Sequence, residues 1–126
     1  MSRMIFSGVA LLLVIALATV GVISLNKSCE ELATMLDEIQ QTAINKDQEK
    51  AIELTNKAIK LWSKEEKVIS LLVDHREIDE IEQTIKSLSV FARQDDMEKL
   101  EEKSSVAAER VRHIRDKEKV SPESVF

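Results

Sequence analysis

The residues best suited to chemistry gather in one segment, DHREID at 74–79. On a helix His75 and Asp79 stand four apart and share a face, as do Asp74 and Glu77 at three, so imidazole and carboxylate together could grip a divalent ion. A zinc site needs about three protein ligands held in fixed geometry, and the HxxxD spacing by itself falls short of that. A second reading uses the same side chains structurally: Asp74 caps a helix, while His75 pairs with Asp79 and helps set the angle between neighbouring helices. We favour capping and packing, with metal binding and direct catalysis as rivals. His113 is the other of the 2 histidines. In an up-down bundle it would lie at the same end as His75, and two converging imidazoles would make a metal site or a switch titrating at about pH 6.5. The competing account places His113 favourably against a helix C-terminus, with no ligand at all. The candidate metal ligands are therefore His75, Asp79, Asp74 and His113, set against a reading in which none binds metal; no cofactor is expected.

Other signals point away from catalysis. There is no Gly-rich phosphate loop, no GxSxG, no HExxH and no cysteine set beside a catalytic histidine, and no small-molecule substrate is evident. The single cysteine, Cys29, excludes an internal disulfide framework and a multi-cysteine zinc site. With 18 basic against 23 acidic residues and a net charge of −5, non-specific nucleic-acid binding is not expected. Trp62, the sole Trp, reads as a core aromatic on the inner side of a helix, with a partner-binding hot spot as the alternative. The stretches KEEK at 64–67 and EKLEEK at 98–103 mix both signs, as solvated helix faces do. Arg110, Arg112, Arg115, Lys117 and Lys119 form a locally basic end, diluted by Glu109, Asp116 and Glu118, that could touch anionic headgroups or an acidic partner.

These residues need elements to hold them, and composition restricts the choice. Of 126 residues 44% are hydrophobic, 33% charged and 3% aromatic, with 2 Gly and 1 Pro. So few turn formers cannot build a β-sandwich or barrel, and an all-α protein is expected. Between Arg3 and Lys27 no charged residue occurs. Residues 4–25, at about 1.5 Å each, reach roughly 33 Å, enough to cross a hydrocarbon core of roughly 30 Å. A cleaved signal peptide is the rival, since Ala16-Leu17-Ala18 offers a small-x-small site, but apolar sequence continues past it through Val20, Val22, Ile23 and Leu25. Asn26-Lys27-Ser28 before Cys29 does not suit a lipidated cysteine. Arg3 and the terminal amine on one side, against Lys27 on the other, favour a cytoplasmic N-terminus and an extracytoplasmic remainder. Gly8 and Gly21 have no Gly four residues on, so nothing in the span signals dimerisation.

Beyond the span the chain reads as four helices. Ser28 with Glu31 forms a capping-box pattern, opening a helix over roughly 29–44 with Leu32, Leu36, Ile39 and Ala43 inward. Asn45 or Asp47 caps the second, which carries Ala51, Thr55, Ala58, Trp62, Ile69 and Leu72 inward. Asp74 with Glu77 starts the third, with Ile78, Ile81, Ile85, Leu88 and Ala92; a single bent rod through residues 73–75 is the alternative, and Asp74 favours the break. Asp95 with Glu98 opens the fourth, with Met97, Leu100, Ser104, Ala107, Val111 and Ile114. From Lys119 a flexible tail is expected, with Pro122 ending any helix. Displacing the chain by 49 residues superposes Leu32 on Ile81, Leu36 on Ile85, Ile39 on Leu88, Ala43 on Ala92, Asp47 on Asp96, Lys50 on Lys99 and Ala58 on Ala107. Two antiparallel helical hairpins are implied, of tetratricopeptide-like geometry without that repeat's consensus, packed into one four-helix bundle. The domain plan is an N-terminal transmembrane anchor at 1–27, a bundle at 28–118 and a tail at 119–126.

The apolar leader, the KDQEKA turn, the Trp in the second helix, DHREIDEI and the closing HIRDKEKVSPESVF together resemble a domain-of-unknown-function family of short single-span membrane proteins from spore-forming Gram-positive bacteria. The likeness spans nearly the whole chain and is most specific at Asp74, His75, Glu77, Ile78 and Asp79, and at His113, Ile114, Glu118 and Lys119. This chain departs from the family in having no aromatic residue from Lys67 to Leu72. The resemblance implies no catalytic residue and an association with other integral membrane proteins. The expected function is that of a non-enzymatic, membrane-anchored interaction or accessory module, held by the lipid bilayer through 4–25 and partnered by a membrane protein. The alternatives are a metal- or pH-sensing site at the His75/His113 end and a secreted helical domain released by signal cleavage.

Overall fold

The computed structural model describes residues 2–117, the side chains at 2, 22, 72 and 117 excepted. Its elements are α1 (Ser2–Ile44), α2 (Gln48–Leu72), α3 (His75–Arg93) and α4 (Met97–Lys117), and all regular structure among the described residues is helical. The tail at 119–126 and the side chain of Leu72 lie outside the described residues.

The first helix differs from expectation. No break occurs near Ser28; α1 runs unbroken from the apolar leader to Ile44. A cap satisfies backbone donors left open where a helix begins, and here the preceding apolar turns are already helical, so no open donors exist at Ser28. The Ser28 hydroxyl instead donates to Glu65 Oε2 on α2 at 2.6 Å.

The α1–α2 and α3–α4 turns are copies of one another. Asn45, Lys46 and Asp47 N–H donate to Gln41, Ala43 and Thr42 C=O at 3.0, 3.0 and 3.2 Å; Gln94, Asp95 and Asp96 donate to Val90, Ala92 and Phe91 at 3.0, 3.2 and 2.9 Å. This is a Schellman ending, in which a left-handed residue turns the chain and the last carbonyls are satisfied. Lys46 and Asp95 occupy that left-handed position, each with φ 57. The next residue caps the following helix: Asp47 Oδ1 accepts from Lys50 N–H at 3.3 Å, and Asp96 Oδ1 from Lys99 N–H at 3.2 Å. The cap of α4 is thus Asp96, not Asp95, because Asp95 is spent on the reversal. Between α2 and α3 the break is real. Val73 is extended (φ −126, ψ 149), and Asp74 Oδ1 accepts from Arg76 N–H at 3.3 Å.

Helix α1 packs on α4 and α2, α2 on α3, and α3 on α4, so the four helices close a ring around one core. Every described side chain that periodicity points inward is buried, from Leu32 on α1 to Ile114 on α4. The core also takes in Leu25, Cys29, Ala33, Leu54 and Ala108. Positions related by the 49-residue displacement share more than polarity. Thr55 and Ser104 are both buried and turn their hydroxyls to their own helix, donating to Ile52 C=O at 3.1 Å and to Leu100 C=O at 2.7 Å. Burial begins at Gly21, Ser24 and Leu25; residues 3–20 of α1 are exposed throughout.

Candidate functional site

The polar cluster at the start of α3 and the end of α4 assembles at the end of the bundle from which the bare half of α1 projects. Asp74 is exposed and caps α3, while His75 and Asp79 are exposed on the first turns of that helix. Half-buried Glu77 faces α4. It lines a cavity of about 180 Å³ together with Glu80, Ile81, Arg110, His113 and Ile114. His113 is therefore brought beside the acidic residues of α3's outer turns, and His75 is not among the cavity's lining. Among the described residues no three His, Cys, Asp or Glu side chains converge to hold a metal ion. What the cavity does hold is an ion pair, Arg110 Nη1 to Glu80 Oε2 at 2.6 Å.

The basic end of α4 has a use that its sequence spacing does not display. Arg112 forks onto Asp37 of α1, Nη1 to Oδ1 at 3.3 Å with Nη2 on Oδ2, and the hydrogen-bonded carboxylate raises the guanidinium above its ordinary range. Arg115 pairs with Glu30 of α1, and its Nε donates to Asp116 at 3.3 Å. Arg110, Arg112 and Arg115 thus tie α4 to α3 and α1. Lys117's side chain and Lys119 lie outside the described residues. Sequence reasoning could not pair these arginines, because Glu30, Asp37 and Glu80 sit on other helices.

Two buried groups complete the picture. Trp62 is 2% exposed, and its Nε1, like Asn26 Oδ1, has no hydrogen-bond partner among the described residues. Cys29 is buried at the level where α4 ends. Burial pushes its thiol up to about 11; Glu30 pushes the same way and Arg115 opposes. A thiol so protonated is a poor nucleophile. Nothing here aligns a nucleophile with a base. The most conspicuous surface is instead apolar: Phe6 is 79% exposed and Leu17 70%. α1 is the one helix among the described residues long and apolar enough to cross a membrane.

A family model described as a domain of unknown function, DUF4363, matches residues 19–125. The chain belongs to the DUF4363 family. The matched stretch contains the packed part of α1 and all of α2, α3 and α4, so the family signature covers the bundle, its clamps and the His75 and His113 turns together. No curated protein and no solved structure matches the chain.

Proposed function

We propose that this DUF4363 protein is a membrane-anchored, non-enzymatic helical module. Residues 4–25 cross the bilayer with the N-terminus cytoplasmic, and the bundle stands outside, where it engages another integral membrane protein. The observation that carries the reading is the exposure of residues 3–20 in a chain whose other large apolar side chains are mostly packed. Leaving these eleven large apolar side chains in water, compared with lipid, costs on the order of 20 kcal/mol. Lipid removes that cost. The bundle itself is read as two equivalent hairpins of tetratricopeptide-like geometry, supported by the matching turns at Lys46 and Asp95. A host among spore-forming Gram-positive bacteria, and DHREID as a family mark, belong to the same proposal.

The test has two arms. Alkaline carbonate extraction and intact mass of the natural product should leave the chain in the membrane pellet with residues 1–18 attached; a trimmed chain in the aqueous fraction refutes the anchor. Photo-crosslinking in cells, from Leu13 in the span and Glu53 on the bundle, should yield a discrete adduct whose second component is an integral membrane protein. Absence of any adduct above background refutes the partner.

A further inference from the structure

We infer that the α2–α3 corner is a second lipid contact, with Leu71 dipping below the headgroups beside the span; this rests on the membrane reading above. Levels along the bundle axis locate the corner. The hydrogen bond from Ser28 to Glu65 sets those two residues side by side. Because α2 descends as α1 rises, Leu71, six residues past Glu65, stands about 9 Å nearer the bare end of α1, level with residue 22 or so. That level is inside the apolar segment, which continues to Leu25.

Leu71 is 82% exposed there, against 46% for Ile44 and 39% for Val90 at the opposite end of the bundle. A lone exposed leucine normally means little. This one shares its level with Ile23 of α1, itself 61% exposed, so the apolar surface of the span continues sideways onto the corner. Basic residues lie just above it, interleaved with Glu31 and Glu66. Lys67 and Lys64 are exposed about one and two turns above Leu71, and Lys27 is exposed on α1. Their stems can lie along the bundle while the ammonium groups reach lipid phosphates. Asp74, His75 and Arg76 are exposed at the corner itself, polar groups suited to the headgroup layer.

Depth-resolved quenching tests this with the full chain, reconstituted in phosphatidylcholine–phosphatidylglycerol vesicles. In a Cys29→Ala background, single cysteines are introduced by Leu71→Cys, Leu13→Cys and Ile44→Cys. All three sites are exposed, so folding is preserved, and the emission of buried Trp62 checks it. Each carries an environment-sensitive fluorophore, with spin-labelled lipids as quenchers at shallow or deep acyl positions. The expected result is loss of fluorescence at Leu13 with the deep quencher, loss at Leu71 with the shallow quencher, and no loss at Ile44. Quenching at Leu13 with Leu71 as insensitive as Ile44 overturns the corner contact and leaves the span intact. No quenching at either Leu13 or Leu71 overturns both readings. Equal quenching at Leu71 and Ile44 means that the bundle lies flat on the lipid, which also overturns the inference.

Discussion

Lys46 and Lys60 are both exposed lysines, yet replacing each by glycine should change stability in opposite directions. Lys60 sits inside α2, where Lys→Gly costs about 1 kcal/mol through lost helix propensity. Lys46 holds φ 57, a conformation that costs an L-residue with a Cβ about 1–2 kcal/mol. Glycine removes that cost, while its greater freedom in the unfolded chain takes back about 0.5–1 kcal/mol. The net gain for Lys46→Gly is about 0.5–1 kcal/mol, so the two variants should differ by about 1.5–2 kcal/mol. Asp95, at the matching turn, should gain less on Asp95→Gly, since aspartate tolerates the left-handed region better than lysine. Urea and thermal unfolding of the full chain in mild detergent, followed by helicity, reads all three. Lys46→Gly falling alongside Lys60→Gly would refute both the turn conformation and the equivalence of the two turns.

Trp62→Ala should cost about 3–5 kcal/mol as a core truncation, whereas Trp62→Phe should cost much less, because it also removes a buried Nε1–H that has no partner among the described residues; chemical denaturation of the pair measures the gap. Cys29 should resist alkylation at pH 8 in the folded chain and react once the chain is unfolded, as thiol-titration kinetics would show. Its folded thiol titrates at about 11, against 9.0 for an ordinary one, so the native state holds the proton longer. Stability should therefore fall as pH rises from about 9 to 11, and melting curves should lose that component in Cys29→Ala. Asp37→Asn unpairs Arg112 at a partly exposed site, so the expected loss is less than about 1 kcal/mol and shrinks in high salt, measurable by unfolding at two ionic strengths.

The inward stripes were legible because in α3 and α4 nearly every residue off the stripe is charged or polar, so a spacing of three and four has one reading. The helix boundaries were less so. Ser28 with Glu31 has the letters of a capping box, but a cap needs a helix start, and from Val22 to Ile44 no Gly or Pro provides one. Residue type outvoted context there. The Asp95-Asp96 pair shows the reverse case: either aspartate can cap, and only the alignment with Asp47 singles out Asp96, since it places Asp95 on Lys46 and hence in the reversal. Around the histidines the limit was topological. Knowing that α3 begins where α4 ends brings His113 to α3, but which residues of α3 it meets depends on the rotation of each helix. That rotation sets Glu77 and Glu80 toward it.

The continuity of α1 changes what an anchor does. A bundle hung on a flexible linker would sample many orientations and present all its faces equally to neighbours. Here the apolar segment enters the bundle as one helix, and three contacts brace it: Ser28 to Glu65 of α2 and Glu30 to Arg115 of α4 within the first turns above the point of entry, and Asp37 to Arg112 of α4 further along. With α2 and α4 tied to α1 on different sides, the first helix cannot swing without dragging both neighbours. On the membrane reading, the tilt and rotation of the span are then the tilt and rotation of the bundle. From Leu25 to Ile44 is about 28 Å of helix, so a tilt of a few degrees in the bilayer moves the Lys46 and Asp95 turns by an ångström or more. On that same reading, the face offered to a proposed membrane-protein neighbour would be selected by the span's own orientation, and a corner contact at Leu71 would bias that orientation by resisting rotation about the helix axis.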